Sequence, residues 1–213
     1  MNFINEIITY MGENSDELFA FTIEHILMVL YGLGLALLIG IPLGILAAKV
    51  ERLAPIIISV TNVIQLIPSI ALLAILMLYF GFGFKTVVMG LFLYSLLPIV
   101  KNTYVGIKEV DASIVEAGIG NGMTSLQLLT KIQFPLSVPF LMAGLRLAAV
   151  IAISVATIGP YIGADGLGRI IVSGISLQSD VQIYAGAIPA TLLAIIADFI
   201  LGQMENKTQK RLT

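Results

Sequence analysis

The chain has 213 residues, of which 58% are hydrophobic and only 11% are charged, and its mean hydropathy is +1.03. Soluble domains carry roughly a quarter charged residues, so this composition predicts an integral membrane protein. The net charge of −2 excludes the strongly basic surface that binds nucleic acid, and the lack of cysteine excludes disulfides, thiol nucleophiles and thiolate metal sites.

Residues 1–24 predict an extracytoplasmic amphipathic segment rather than a secretory signal. They contain no lysine or arginine, so the basic start of a signal peptide is missing. Four apolar residues recur at helical spacing, as in a helix that lies on a membrane surface: Ile4, Ile7, Ile8 and Met11. His25 follows, and as the only histidine it excludes a multi-histidine metal centre. We interpret His25 as an interfacial residue.

Five apolar segments are long enough to cross a bilayer, whose ~30 Å hydrocarbon core requires about 20 helical residues. In chain order they cover residues 25–48, 55–80, 86–107, 137–162 and 181–203. The second contains Pro68, so we expect it to be tilted or kinked. The fold class is therefore all-α: a polytopic protein with one membrane domain, residues 25–203, and a basic cytoplasmic tail, residues 204–213.

The distribution of basic residues predicts the orientation in the membrane. With the N-terminus outside, the basic residues of the inner side are Lys49, Arg52, Lys101, Lys108, Lys131, Lys207, Lys210 and Arg211. The outer side then carries only Lys85 and Arg169. This bias predicts a cytoplasmic C-terminus and a cytoplasmic location for the polar segment 116–135, between the third and fourth spans.

The polar segment predicts two short helices, residues 110–120 and 123–134, joined by a bend at Gly122. Thr124 is suited to the N-terminus of the second helix. An apolar stripe of Leu126, Leu129 and Ile132 is expected to bury one face, against either the membrane helices or a partner.

The spacing of Glu116-Ala117-Gly118, Gly122, Ile132 and Pro135 resembles the EAA loop of bacterial ABC importer permeases. The chain departs from that motif at Gly118, where the family has a second alanine, and at Phe134, where it has leucine. Further stretches are similar to the permeases of compatible-solute importers, which take up glycine betaine, carnitine or choline: residues 61–74, 91–107, 142–148, 162–171 and 185–198.

The resemblance implies a type I ABC importer permease of the bacterial plasma membrane. Two permease subunits, identical or related, form the pathway, and each EAA loop docks on an ATPase subunit that binds ATP and Mg²⁺. An extracytoplasmic binding protein delivers substrate, and because this chain ends at Thr213 we expect that protein to be separate. The chain itself would bind no cofactor or metal and would not be an enzyme. The implied coupling positions are Glu116, Ala117, Gly118, Gly122, Thr124 and Pro135.

Polar residues inside the spans are candidates for a substrate pathway. Asn62, Gln65 and Ser69 recur at i, i+3 and i+7 and are expected to share one face of the second span. They fit the lining of a water-filled route and helix–helix hydrogen bonding equally well. Further candidates are Tyr94, Ser154 and Thr157. No aromatic cage for a quaternary ammonium group is evident, so tight recognition is assigned to the binding protein.

Arg146 and Asp198 are ionisable residues well inside predicted spans, both in the cytoplasmic third of the membrane. An unpaired charge there costs about 2.5 kcal/mol or more, which favours an intramembrane ion pair. Snorkelling of Arg146 to the headgroups is the alternative. The glycine-rich residues 162–171 lack the lysine of a phosphate loop, and we interpret them as an outer re-entrant or gating turn.

Other functions remain open alternatives on the sequence. The same ABC architecture serves other small solutes or export. A secondary transporter would show inverted repeats and more spans, and we find neither. A membrane-embedded enzyme would need convergent acid–base or metal-binding residues, which the spans do not offer.

Overall fold

The computed structural model describes residues 2–210, which fold into helices with no β-strand among them, so the all-α fold class is confirmed. The helices are α1 Phe3–Glu13, α2 Ser15–Lys49, α3 Ala54–Leu66, α4 Ser69–Phe80, α5 Phe84–Lys108, α6 Ala112–Gly120, α7 Ser125–Leu128, α8 Phe134–Ala156, α9 Gly168–Leu177 and α10 Asp180–Gln209. A π-helical turn, Leu129–Gln133, precedes α8, and a 3₁₀ turn, Gly159–Ile162, follows it.

Within residues 2–210, four stretches are each long and apolar enough to cross a membrane: α2, α5, α10 and the continuous helix Ser125–Ala156. The pair α3 and α4 passes the same test only when the two helices are taken together, and they meet at 100°. The structure therefore has four candidate spans, or the predicted five if the bent pair α3 and α4 counts as one span.

The break in the second span is sharper than the tilt or kink that the sequence predicts. Proline cannot donate a backbone hydrogen bond and disfavours helical backbone in the residue before it. Ile67 accordingly adopts ψ 129° and Pro68 adopts ψ 133°, both extended. Ser69 begins α4, beyond the break. The expectation that Asn62, Gln65 and Ser69 share one helix face is thus wrong, because only the first two lie on α3.

The first long helix begins at Ser15, ten residues before the predicted span. It has 35 residues and is about 52 Å long at 1.5 Å per residue, so it extends beyond a bilayer core. The amphipathic helix α1 precedes it and packs on α10, where the rings of Phe3 and Tyr184 meet edge to face with centroids 5.4 Å apart. At the other end, α10 continues to Gln209, and Arg211 lies outside the described residues.

The centre of the protein is the packing of α2, α5 and α8. Glycines on α2 bring its backbone close to α5, as small residues do between membrane helices. A Cβ atom on Gly32 would lie 2.6 Å from Leu91 Cβ, and one on Gly44 would lie 2.5 Å from Thr103 Cβ. Because α5 leads into the polar segment and α8 leaves it, this packing holds the two ends of that segment together.

Candidate coupling loop and substrate pathway

The polar segment folds as a helix, a tight bend and a second helix. Helix α6 ends in a Schellman motif: the Gly122 N–H donates to the Ile119 carbonyl at 2.9 Å, and the Met123 N–H donates to the Gly118 carbonyl at 3.1 Å. Gly122 has φ +76°, the left-handed conformation that glycine adopts without strain. The bend therefore requires a glycine at position 122.

A capping box begins the second helix. The Thr124 side chain accepts a hydrogen bond from the Gln127 N–H at 3.3 Å, and the Gln127 side chain accepts one from the Thr124 N–H at 2.9 Å. Helix α7 then runs through the π-helical turn into α8 as one 32-residue helix, with Pro135 at the start of α8. The polar segment is thus connected to the span α8 without an intervening loop.

The two halves of the loop touch at Gly118, which is buried. A Cβ atom at this position would lie 2.6 Å from Leu128 Cδ2 and 3.0 Å from Ile132 Cδ1. The glycine therefore lets α6 lie close to α7 and to the π-helical turn at this point.

The outer surface of the loop exposes both charge and apolar area. Glu116 and Ala117 are exposed, and the side chains of Ile119 and Leu126 are 58% and 69% exposed. The apolar stripe predicted from Leu126, Leu129 and Ile132 does not lie on one buried face, because Leu126 is exposed while Leu129 and Ile132 are half-buried. The loop therefore presents large apolar side chains beside a carboxylate.

Three polar contacts hold the ends of the loop. Lys49, at the end of α2, donates to the Gln133 side chain in the π-helical turn. Lys108 pairs with Glu51 at 3.0 Å. Asp111 caps α6 by accepting a hydrogen bond from the Ser113 N–H at 2.8 Å. Hydrogen bonds from the side chain and the backbone of Ser113 hold the pKa of the Asp111 carboxyl below its usual value. The cap is therefore ionised at neutral pH.

The structure brings Arg146 and Asp198 together in a two-pronged contact between α8 and α10. Arg146 Nε lies 2.6 Å from Asp198 Oδ1, and Nη2 lies 2.8 Å from Asp198 Oδ2. Glu205, which sequence reasoning missed, accepts a longer contact of 3.4 Å from Arg146 Nη1. The sequence could have indicated Glu205 through its spacing of seven residues from Asp198, which is about two helical turns and places both carboxylates on one face of α10. Gly202 leaves room for the guanidinium, since a Cβ there would lie 3.2 Å from Arg146 Cζ.

The six pathway candidates do not form one site. Ser154 and Thr157 line a cleft of about 310 Å³ between α8 and α10, together with Thr191. Gln65 lines a different cleft of about 390 Å³ among α3, α5 and α8. The remaining three differ in exposure: Asn62 is exposed, Ser69 is half-buried, and the buried Tyr94 donates its hydroxyl hydrogen to the Ile67 carbonyl at the helix break.

His25 is fully buried, so its interpretation as an interfacial residue is wrong. Its Nε2 lies 3.1 Å from the carbonyl oxygen of Ile153, in the last turn of α8. In a continuing helix the Thr157 N–H would donate to the Ile153 carbonyl, but here it donates to the carbonyls of Ser154 and Val155. The histidine therefore supplies the partner for the Ile153 carbonyl at the end of the helix. Gly166, at φ +98°, lies close to His25, since a Cβ atom there would be 3.3 Å from the histidine Nδ1.

Residues 40–210 match the family described as "Binding-protein-dependent transport system inner membrane component". The match covers most of the chain. The protein belongs to this permease family.

The permease is also similar to curated proteins over nearly its whole length. It is 46% identical to the glycine betaine/carnitine/choline transport system permease protein OpuCD of Bacillus subtilis, over 96% of this chain and 90% of that protein. It is 48% identical to the carnitine transport permease protein OpuCD of Listeria monocytogenes, over 96% and 92%. It is 44% identical to the choline transport system permease protein OpuBD of Bacillus subtilis, over 96% and 91%.

Solved structures establish the fold of the permease. An inward-facing structure of the MetNI methionine ABC transporter superposes with a TM-score of 0.82 at 19% identity, over 90% of this chain and 95% of that one. A crystal structure of an amino acid ABC transporter with histidines gives a TM-score of 0.75 at 17% identity, over 96% and 98%. The predicted type I importer permease fold is confirmed. The permease is a multi-pass plasma membrane protein and a transport subunit, not an enzyme.

Proposed function

We propose that this permease is a transmembrane subunit of an ATP-driven importer of quaternary-ammonium osmoprotectants such as glycine betaine, carnitine and choline. The observation that carries the proposal is 44–48% identity, over 96% of the chain, to permeases whose names specify those three solutes. The family name adds dependence on a binding protein. We place that protein on the extracytoplasmic side as a separate chain, next to a second permease subunit.

ATP hydrolysis would enter the permease through the loop that contains Gly122. Its exposed Glu116, Ile119 and Leu126 offer a mixed apolar and charged surface, the kind that a groove on another protein covers. The continuity of α7 with α8 supports a lever in which movement of a docked ATPase displaces α8 as a rigid body. The proposed coupling residues are Glu116, Ala117, Gly118, Gly122, Thr124 and Pro135. ATP and Mg²⁺ would bind the partner ATPase.

The orientation of the importer follows from the same proposal. A docked cytoplasmic ATPase requires the loop, Lys108 and the end of α10 to lie inside. The N-terminus then lies outside, in agreement with the distribution of basic residues. Asn62, Gln65, Ser69, Tyr94, Ser154 and Thr157 are proposed to line the pathway at different depths.

The conformation of Gly122 gives the sharpest test of coupling. A side chain in the left-handed region costs about 1–2 kcal/mol, so Gly122→Ala should distort the bend. Gly120 supplies the matched control, because it lies two residues away in α6 with open space around it, so alanine there is accommodated. We expect Gly122→Ala to lower betaine-stimulated ATP hydrolysis several-fold in the complete importer reconstituted in vesicles.

Gly120→Ala should keep the wild-type rate. Equal, wild-type rates in both variants would contradict the coupling role of the bend.

The direction of transport is measured in the same vesicles. Solute movement toward the ATPase side supports import, and movement away from it supports the alternative, an exporter. If neither betaine, carnitine nor choline is moved, the substrate class is wrong.

A further inference from the structure

A cleft of about 390 Å³ lies among α3, α5 and α8 and is polar on one side. Its polar side is formed by Gln65, Lys101 and Asn102, and its apolar side includes Leu97 and Leu147. We call it the Lys101 cleft. Its volume is within the range of small-molecule sites, which are lined mainly by apolar side chains with a few polar groups that orient the ligand.

Lys101 is an exposed residue on the wall of the cleft. It lies in α5, seven residues before the helix ends at Lys108, which is about 10 Å along the helix axis. Lys108 pairs with Glu51, whereas no carboxylate within residues 2–210 lies within 4.0 Å of the Lys101 ammonium. An ammonium group that lines a cleft without a carboxylate partner is available to an anionic group of a solute.

The chemistry of the Lys101 cleft matches one end of a zwitterion. An ammonium group with amides beside it suits a carboxylate, because charge-assisted hydrogen bonds are stronger than neutral ones. Leu97 and Leu147 suit the methyl groups of a quaternary ammonium, which has no hydrogen to donate. Asn102 is held in place by its Nδ2 bond to the Pro98 carbonyl at 2.8 Å.

We propose that the Lys101 cleft binds the carboxylate group of a zwitterionic quaternary-ammonium solute during its passage through the permease. This inference rests on the proposed function and adds a residue that sets specificity. Glycine betaine and carnitine have a carboxylate, whereas choline has a hydroxyl group and a net positive charge. Lys101 therefore attracts the first two solutes and repels choline.

The test compares Lys101→Met with wild type in the complete importer, reconstituted in vesicles and assayed for uptake of carnitine, glycine betaine and choline at limiting concentration. We expect carnitine and betaine uptake to fall about tenfold, the loss of one charged hydrogen bond. Choline uptake should stay unchanged or rise. Lys101→Arg keeps the charge and should retain most of the carboxylate preference. The matched control is Lys85→Met, which removes the same charge from an exposed position at the other end of α5, away from the cleft, and should alter no solute selectively.

Each other outcome overturns the inference in a recognisable way. Equal losses for all three solutes would assign Lys101 to assembly, which the yield of purified complex reports independently. Losses that disappear in vesicles without anionic lipid would assign its partner as a lipid phosphate. Unchanged uptake of carnitine and betaine would show that the cleft does not bind them. A wild-type importer that moves none of the solutes would refute the proposed function itself.

Discussion

Gly118 lies where the two halves of the proposed coupling loop touch, and its neighbours decide which side chains fit there. The nearest atoms to an added Cβ, Leu128 Cδ2 and Ile132 Cδ1, are tips of flexible side chains that shift readily. Alanine, the residue of the EAA motif at this position, should therefore be accommodated. A β-branched residue would add two more atoms against the same neighbours and force α6 away from α7.

We predict that Gly118→Ala retains near wild-type substrate-stimulated ATP hydrolysis in the reconstituted importer. Gly118→Val should lower that rate and weaken binding of the ATPase subunit, at a cost of about 1–3 kcal/mol in local stability. Titrating the ATPase onto vesicles that contain each variant measures the second effect. A valine variant that binds and stimulates like alanine would show that the contact between α6 and α7 is loose in the assembled importer.

The capping box is what starts helix α7, which has only four residues of its own. Removing a threonine cap costs about 1 kcal/mol, and the loss falls on the first turn of the helix that continues into α8. We predict that Thr124→Ala frays α7 and lowers coupling between ATP hydrolysis and uptake, measured as solute moved per ATP hydrolysed. Ser125→Ala is the control, because Ser125 is the adjacent, exposed residue and makes neither capping bond. If Thr124→Ala and Ser125→Ala move the same amount of solute per ATP hydrolysed, the capping box does not contribute to coupling.

Features that depend on neighbouring residues in the sequence were predictable, whereas features that depend on contacts between distant segments were not. The bend at Gly122 is fixed by its own backbone conformation, and the spans follow from apolar length. The 100° angle between α3 and α4 was not predictable, because the sequence is equally apolar on both sides of Pro68. The proline indicates that the helix is interrupted, but the composition does not indicate the angle at which the second helix continues. The burial of His25 depends on a carbonyl 128 residues away, which no local pattern encodes.

At the level of the whole permease, the Arg146 contact joins the helix that leaves the coupling loop to the last helix of the chain. Helix α8 continues from α7, and α10 holds both carboxylates that meet the guanidinium. Movement of the loop should thus reach α10 through a two-pronged bond that resists both sliding and rotation. We therefore expect α8 and α10 to move together.

A double-mutant cycle tests whether Arg146 and Asp198 act as this joint. We expect Arg146→Gln and Asp198→Asn each to lower the solute moved per ATP hydrolysed. The double variant should be no worse than the more impaired single variant, because both changes break the same contact. Glu205→Gln should have a smaller effect, since it weakens only the 3.4 Å contact and leaves the two-pronged pair intact. Losses that multiply in the double variant would mean that the two charges act separately, and α8 would then have to move α10 through apolar packing alone.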